Sequence, residues 1–155
     1  MRLNADFSQP VVIRPGDSPW LASPMPGVER CLLDRIGDEV ARATSLVRYA
    51  PGSRFSEHQH LGGEEYLVLE GVFSDACGDY PAGTYVRNPI GTAHAPFSEG
   101  GCTIFVKLYQ FALEDRSPVV IDTHHALWSP GPAPGVEVLA LHQHGHEQVR
   151  LLRCA

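Results

Sequence analysis

The sequence of 155 residues has little positive charge, few cysteines and no long hydrophobic run. Its 12 basic residues stand against 18 acidic ones, which gives a formal net charge of −6, and the basic residues are scattered rather than clustered. A surface for nucleic acid or for an anionic membrane is therefore not expected. No apolar stretch approaches the roughly 20 residues that span a bilayer.

The few cysteines also exclude some protein classes. Cys31, Cys77, Cys102 and Cys154 are far apart and include no Cys-x-x-Cys pair. This spacing argues against a disulfide scaffold and against a zinc finger. The first ten residues carry two charges and then Pro10, which is the wrong order for a signal peptide. We therefore expect a cytoplasmic protein with reduced thiols.

Glycine and proline, by contrast, are frequent. Fifteen glycines and thirteen prolines divide the chain into segments that are too short for most helices. Several of these segments, such as 44–49, 65–69 and 103–109, are rich in β-branched, aliphatic and aromatic residues. Many short strands separated by turn residues are typical of an all-β sandwich or barrel rather than of βαβ units. The length suits a single hydrophobic core.

Part of the sequence recurs at an offset of 108 residues. The matching pieces are Val-Val-Ile at 11–13 and 119–121, Trp at 20 and 128, and Pro-Gly-Val-Glu at 26–29 and 134–137. After a three-residue deletion, Leu-Val-Arg-Tyr-Ala at 46–50 is echoed by Leu-Leu-Arg-Cys-Ala at 151–155. We interpret 1–118 as a complete barrel and 119–155 as a partial second repeat. The partial repeat is expected to pack on the barrel or on a partner subunit.

The stretch 52–71 carries the clearest chemical signal. On a β-strand, residues two apart face the same side, so His58 and His60 can direct two imidazoles at one point. The two glycines that follow can reverse the chain, and the returning strand then places a carboxylate beside the rings. Either Glu64 or Glu65 would supply that carboxylate.

A second stretch, 83–94, contains a Pro-x-Gly turn followed by His94, which we expect to be the fourth ligand. Three imidazole nitrogens and one carboxylate oxygen suit divalent iron, zinc, manganese, nickel or copper, and the lack of thiolates argues against a structural zinc site. We expect one divalent metal ion per chain, with iron or zinc as the first candidates.

These two stretches resemble the two sequence motifs of the cupin superfamily. The first matches Gly, five residues, His-x-His, three or four residues, Glu, six residues, Gly, and only Glu64 leaves six residues before Gly71. The second matches Gly, five residues, Pro-x-Gly, two residues, His. Cupins normally carry an Asn four positions after that last His, where this sequence has Ser98. The resemblance implies a jelly-roll (RmlC-like) cupin barrel. The metal ligands that it implies are His58, His60, Glu64 and His94.

The amino-acid sequence of residues 51–75 is similar to that of the cupin-like domain of the ChrR anti-sigma factors. In that family the equivalent three His and one Glu bind zinc, so the resemblance implies a non-enzymatic zinc-binding sensor of oxidants as one function. ChrR regulators also have an amino-terminal helical domain that binds the sigma factor. This sequence has no counterpart of that domain, so a direct anti-sigma role is not expected.

The chain is also similar in size to the acetylacetone-cleaving dioxygenases, which are cupins that hold iron with three His. Glu64 is a departure from them, because those enzymes lack a Glu ligand, whereas quercetinase-like and other cupin dioxygenases keep it. We therefore expect a metal-dependent dioxygenase that acts on a small dicarbonyl or phenolic compound, with the zinc sensor as the alternative. Because cupins commonly pair through sheet edges, we also expect a homodimer.

Strand alternation predicts the walls of the ligand cavity. If His58 and His60 face inward, Ser56 does so too, and Phe55 faces outward. The inward-facing pocket residues expected on the other strands are Tyr66, Val68, Cys102 and Ile104. The alternating histidines at 142, 144 and 146 lack a following carboxylate at the cupin spacing, and we interpret them as part of a solvated loop.

Overall fold

The computed structural model describes residues 1–154, and its regular elements are all strands. In chain order these are β1 (Arg2–Leu3), β2 (Trp20–Ala22), β3 (Val28–Gly37), β4 (Ala41–Tyr49), β5 (Ser53–Arg54), β6 (His58–Gln59), β7 (Glu64–Asp75), β8 (Gly78–Pro81), β9 (Thr84–Asn88), β10 (Ala93–His94), β11 (Phe97–Ser98), β12 (Cys102–Leu108), β13 (Val119–Asp122), β14 (Ser129–Pro130), β15 (Val136–His144) and β16 (Glu147–Cys154). The predicted all-β class is confirmed. Among the described residues, none forms a helix suited to crossing a membrane.

The strands form one large antiparallel sheet and two small ones. The central path of the large sheet runs β1-β3-β4-β12-β7-β11-β5, with β2 on β3, β8 and β9 on β7, and β13 on β9. The small sheets are the pair β6-β10 and the three-stranded sheet β14-β15-β16. The β6-β10 pair carries two of the predicted metal ligands, so this small sheet positions the candidate site.

Gly71 allows β7 and β12 to approach each other closely. Its φ is +71°, a conformation that side chains with a Cβ rarely adopt, and a Cβ at this position would lie 2.0 Å from the carbonyl oxygen of Gly101. The glycine that ends the first cupin-like motif therefore has a steric reason to be glycine.

The core lies on the inner face of β3, β4, β7 and β12. Alternate residues of these strands face inward, as strand geometry requires. The buried cluster consists of Val28, Tyr49, Tyr66, Val68, Phe73, Val86, Cys102, Ile104 and Val106. Five of its members line the cavity into which the predicted ligands project, so the apolar core borders the candidate site: Val28, Tyr49, Phe73, Ile104 and Val106.

The β14-β15-β16 sheet has the same strand register as β2, β3 and β4. Ser129 pairs with Val138 as Leu21 pairs with Arg30, at the offset of 108 residues seen in the sequence. A register shift follows at the corresponding place in each copy. The interpretation of 119–155 as a partial second repeat stays a prediction, which these shared registers support.

One side-chain arrangement also occurs in both copies of the internal repeat. An arginine lies over a tryptophan ring and pairs with a glutamate: Arg48 with Trp20 and Glu29, and Arg153 with Trp128 and Glu137. The guanidinium carbons lie 4.3 and 4.4 Å from the ring centroids, and the N–O distances are 2.7 and 2.6 Å.

The carboxy-terminal sheet packs on the outside of the large sheet. Leu139 and Leu141 are buried against Tyr85 of β9, with the partly buried Leu67 of β7 beside them. In addition, β13 adds a strand to β9, with Val119 opposite Arg87. The segment 119–154 therefore contacts the face of β7 and β9 that points away from the candidate metal site.

Candidate metal centre

Two short paired segments bring the predicted histidines together. β6 and β10 are antiparallel, with His58 directly opposite His94. The next residue to face the same way, His60, accepts a backbone hydrogen bond from Gly91 at 3.0 Å and donates its own amide to the Thr92 carbonyl at 2.8 Å. The Pro-x-Gly turn thus ties the second motif to the first through the backbone.

The three rings and Glu64 converge on one point. The centroids of the His58, His60 and His94 rings lie 4.7 to 5.2 Å apart. Oε1 of Glu64 lies 3.4 Å from Nε2 of both His60 and His94. One nitrogen or oxygen atom from each of the four side chains lies within 4.8 Å of the others. Histidine nitrogens and a carboxylate oxygen at such separations are the donor set of a divalent transition metal.

The second nitrogen of each ring has a partner that orients it. Nδ1 of His58 lies 3.0 Å from the Ser56 carbonyl, and Nδ1 of His94 lies 3.0 Å from the Asp75 carboxylate. Because both partners only accept, each Nδ1 must carry the proton.

The same tautomer follows for His60. Its Nδ1 lies 2.8 Å from the Thr92 hydroxyl, and that hydroxyl donates its own proton to the Pro89 carbonyl at 2.8 Å. The hydroxyl oxygen therefore accepts from Nδ1, which leaves Nε2 unprotonated. Nε2 of His60 and of His94 are buried and have no hydrogen-bond partner among the described residues. Two buried lone pairs that face one point fit a metal ion.

Burial shapes the charge of these side chains. Burial and, next, the neighbouring His94 and His58 lower the pKa of His60 to about 3. Burial also lowers the pKa of His94, against the opposing effect of the Asp75 hydrogen bond. Both rings are therefore neutral near pH 7, which is the form that binds metals.

Glu64 shows the opposite shift. Burial raises its pKa to about 7, although the Asn88 amide donates a hydrogen bond to the carboxylate at 3.2 Å. A buried carboxylate without a cation is costly, and a bound cation would remove that cost. The residues therefore fit a divalent metal by both their free donor atoms and their charge.

Of the two adjacent glutamates, only Glu64 faces this cluster. The carboxylate of Glu65 points to the other side of β7, where it contacts Arg87 at 2.8 Å and Lys107 at 3.2 Å. Successive residues of a strand face opposite sides, so the pair cannot exchange roles without a shift of register.

A cavity of about 260 Å³ opens onto the cluster. Its walls are mostly apolar, and His58, His60, Glu64 and His94 all line it. Of the predicted pocket residues, Ile104 lies on the wall, whereas Tyr66, Val68 and Cys102 are buried in the core cluster and do not line the cavity. Lining residues that the prediction did not include among the pocket side chains are Val28, Val47, Tyr49, Phe73 and Leu108.

The predicted orientations of Phe55 and Ser56 are wrong. Phe55 lines the cavity, with its ring centroid 5.3 Å from that of His58, while Ser56 is exposed. Simple alternation fails here because β5 ends at Arg54 and β6 starts only at His58. The break between the two strands resets which residues face inward.

The interpretation of the later histidines as a solvated loop is wrong for His142. This residue lies in β15, its side chain is 8% exposed, and its Nε2 lies 2.7 Å from Oδ2 of Asp115. Asp115, His142 and Glu147 form a second group of potential metal-binding atoms. Arg87, however, already contacts both carboxylates of this group, at 2.8 and 3.0 Å. The Arg87 guanidinium thus occupies the place that a metal ion would need.

Sequence reasoning did not identify the residues that orient the ligands. Asp75, Asn88 and Thr92 each contact one predicted ligand. Asn88 directly opposes Glu64 across β7 and β9, and Thr92 lies two positions before His94. Asn88 and Thr92 both lie within the second motif stretch, 83–94, and this was their only signal in the sequence. Asp75 lies far from His94 along the chain, and only the fold brings the two together.

Comparison with known proteins identifies the family and the fold. The family model of the ChrR cupin-like domain matches residues 8–112. A search of curated proteins found no match. Among solved structures, an RmlC-like cupin protein from Ralstonia eutropha is 18% identical, with a TM-score of 0.56, over 64% of this chain and 68% of that one.

Two further structures are informative. Acetylacetone dioxygenase from Acinetobacter johnsonii is 20% identical, with a TM-score of 0.58, over 68% of this chain and 78% of that one. The anti-sigma protein ChrR from Rhodobacter sphaeroides, solved in complex with SigE, is 26% identical, with a TM-score of 0.50, over 61% of this chain. The match spans about half (51%) of that ChrR chain. The predicted cupin fold is confirmed.

Proposed function

The chain belongs to the family of ChrR cupin-like domains, and from this premise we propose that it binds one divalent metal ion through four side chains. The proposed ligands are His58, His60, Glu64 and His94. The observation that carries the proposal is the convergence of their donor atoms within 4.8 Å, with two buried imidazole nitrogens that lack any other partner. Metal content, measured in protein purified without added metal and in a His94→Ala variant, tests it.

We propose further that the protein is a dioxygenase acting on a small dicarbonyl or phenolic compound. A redox-active metal would coordinate such a substrate, lower its pKa and bring it next to oxygen. The chain's own contribution is a largely apolar cavity of about 260 Å³, whose size suits a small molecule. Glu64 would hold a negative charge at the base of the cavity, and the oriented imidazoles would keep their Nε2 atoms directed into it.

Oxygen consumption tests the dioxygenase proposal. Iron-loaded protein is mixed with a panel of β-dicarbonyl and phenolic compounds in an oxygen electrode, with the zinc-loaded protein as a control. Oxygen uptake with one compound class, lost in His94→Ala, supports the proposal. If no compound causes uptake by iron-loaded protein, the dioxygenase function is wrong, while metal binding still stands on the metal content.

The match to the ChrR family supports a second candidate, a non-enzymatic zinc site that responds to oxidants. In this case the cluster would hold zinc, and peroxide, itself reduced to water, would oxidise a ligand imidazole and so release the metal. Peroxide-triggered zinc release, followed with a chromogenic zinc indicator, tests this function. Release by peroxide without any oxygenase activity favours the sensor over the enzyme.

We also propose that the chain forms a homodimer. β16 is an edge strand of its sheet and spans eight residues, so it offers unpaired backbone groups to a second copy. Light scattering coupled to size-exclusion chromatography measures the mass directly. A mass near 16.9 kDa at every concentration tested would contradict the dimer.

A further inference from the structure

Tyr49 lies on the cavity wall with a hydroxyl that has no hydrogen-bond partner in the part of the chain that the structure describes. The residue is 5% exposed and lines the cavity. Burial and the nearby Glu64 carboxylate raise the pKa of its phenol, and no hydrogen bond contributes to that shift. The hydroxyl is not among the fully buried atoms that lack a partner, so it is open to the cavity, where a bound molecule can supply the hydrogen bond that the described residues do not.

The position of Tyr49 is fixed by its neighbours. It pairs with Val28 on one side and with Cys102 on the other, and both of these are buried. Its ring packs edge-on against Phe73, with centroids 5.4 Å apart, and Phe73 lies 6.0 Å from the His94 ring. A single aromatic ring therefore separates Tyr49 from a proposed metal ligand.

Tyr109 also lines the cavity but is only partly buried, and the remaining phenols differ from Tyr49 in other ways. The hydroxyls of Tyr80 and Tyr85 donate to carboxylates, at 3.4 Å to Asp75 and at 2.5 Å to Glu65. The Tyr66 hydroxyl lacks a partner, as that of Tyr49 does, but its residue is 1% exposed and does not line the cavity. Tyr49 is thus a phenol without a hydrogen bond that a molecule in the cavity can reach.

We infer that Tyr49 is a ligand-binding residue whose hydroxyl donates a hydrogen bond to an oxygen atom of the molecule held at the candidate metal centre. The inference rests on the proposed function, because the metal would hold one end of that molecule. The ligand class is a small molecule with an apolar body and two oxygen functions. One oxygen coordinates the metal, and the other, of carbonyl or carboxylate type, accepts from Tyr49.

Levulinate is a suitable probe, because it is small and carries a carboxylate and a keto group separated by two methylenes, so that one can coordinate the metal while the other accepts from Tyr49. Protein loaded with Co²⁺ is titrated with levulinate, and binding is followed by the visible spectrum of the cobalt. Tyr49→Phe is compared with Tyr66→Phe, a matched control that also loses a phenol hydroxyl without a hydrogen bond, but one that is fully buried behind the cavity wall. Tyr49→Phe is expected to weaken probe binding about tenfold, the effect of one lost hydrogen bond, and Tyr66→Phe by less than about twofold.

Thermal melting of the metal-free proteins provides a control for folding. Because each substitution removes a polar group that makes no hydrogen bond and keeps the ring, neither is expected to lower the melting temperature. The ultraviolet difference spectrum of wild-type protein gives a second measurement, in which a phenol that begins to donate a hydrogen bond absorbs at longer wavelength. This shift is expected on probe binding in wild type and in Tyr66→Phe.

The outcomes distinguish failure of the proposed metal binding from failure of the proposed role of Tyr49. If wild-type protein takes up no cobalt, the proposed metal function fails, and the role of Tyr49 fails with it. If cobalt binds but Tyr49→Phe binds the probe as tightly as wild type, or Tyr66→Phe weakens binding equally, only the role of Tyr49 is overturned. The absence of the ultraviolet shift in wild type overturns it as well.

Discussion

Glu64 and Glu65 are consecutive residues of β7, both buried, in opposite electrostatic surroundings. Each contacts the residue directly opposite on β9: Glu64 accepts from Asn88, and Glu65 from Arg87. On the inner side the carboxylate faces neutral imidazoles. On the outer side it faces Arg87 and also Lys107.

The difference lies in whether the chain itself supplies the positive charge. Outside, Arg87 contacts three carboxylates, those of Glu65, Asp115 and Glu147. Although burial acts to raise it, hydrogen bonds from Ser117, Arg87 and His142 lower the pKa of Asp115 to about 2. On the inner side, no lysine or arginine of residues 1–154 pairs with Glu64, and burial raises the pKa of Glu64 to about 7. A buried negative charge requires a partner, which supports the proposal of a metal at the inner cluster.

Removing the cation of the outer cluster has the largest expected effect. Arg87→Met leaves several buried carboxylates without a positive partner and is expected to lower the free energy of unfolding by about 3–5 kcal/mol. Urea denaturation of the metal-free protein measures this. Arg48→Met, which removes an exposed ion pair, is the matched control and is expected to cost about 1 kcal/mol or less. Equal losses in the two variants would contradict the assignment of a buried network to Arg87.

Amide substitutions of the two adjacent glutamates are expected to change the free energy of unfolding in opposite directions. In metal-free protein at pH 8, Glu64→Gln removes an unpaired buried carboxylate and is expected to stabilise by about 3 kcal/mol. Glu65→Gln removes a partner of Arg87 and Lys107 and is expected to destabilise the folded protein. Denaturation of both variants at pH 8 measures the difference. The same sign for both would show that the two sides of β7 are not electrostatically distinct.

The pH dependence of the Glu64→Gln effect follows from the raised pKa. Below about pH 4.5 the carboxyl is protonated in both the folded and the unfolded state, so the stabilisation by Gln is absent. Between pH 4.5 and 7 the unfolded chain loses this proton first, which makes wild type progressively less stable than the variant. Above pH 7 the full difference is present. A difference that does not change with pH would mean that Glu64 is not the group responsible.

Removal of a proposed ligand tests the inner cluster through metal binding. His94→Ala is expected to lose both the metal and the stabilisation that metal gives, which is about 2.7 kcal/mol when free metal is 100 times the Kd. Metal analysis and melting with and without added zinc measure the two quantities. His125→Ala, whose side chain is 86% exposed, serves as a control and should keep both. Unchanged metal content in His94→Ala would remove this residue from the ligand set.

A smaller effect is expected from the residue that orients His94. Asp75→Asn keeps the shape of the side chain but removes the carboxylate on Nδ1, and such a loss typically weakens metal binding by about 10–100-fold. Competition with a chelator measures the affinity. Asp79→Asn, in the same hairpin but bonded to Ser74, is the control. Equal affinity in Asp75→Asn and wild type would show that this hydrogen bond does not support the site.

The sequence predicted the inner cluster better than the outer one for a physical reason. The inner residues lie in two short motifs: His58 and His60 are two apart on a strand, and the resemblance to the cupin motif, through its spacing to Gly71, implies Glu64 rather than Glu65. The outer cluster joins Arg87, Asp115 and Glu147 from distant parts of the chain. No local pattern marks such a network, because it forms only when the carboxy-terminal sheet packs on β7 and β9.

The cavity wall shows the limit of strand alternation. Alternation places Ile104 correctly on the wall, but it does not separate residues that border the cavity from those packed behind them, such as Tyr66. It also fails at Phe55, because the strand is interrupted before His58. Orientation follows from local geometry, whereas contact with empty space depends on how all the strands close around it.

A crystal of the protein grown with zinc and measured with anomalous scattering at the zinc edge tests the central claim most directly. The account predicts one strong peak per chain, about 2.0–2.2 Å from a nitrogen of His58, His60 and His94 and from an oxygen of Glu64. A peak between Asp115, His142 and Glu147 with none at the inner cluster would contradict it. So would a zinc ion bound to the three histidines while the Glu64 carboxylate points away.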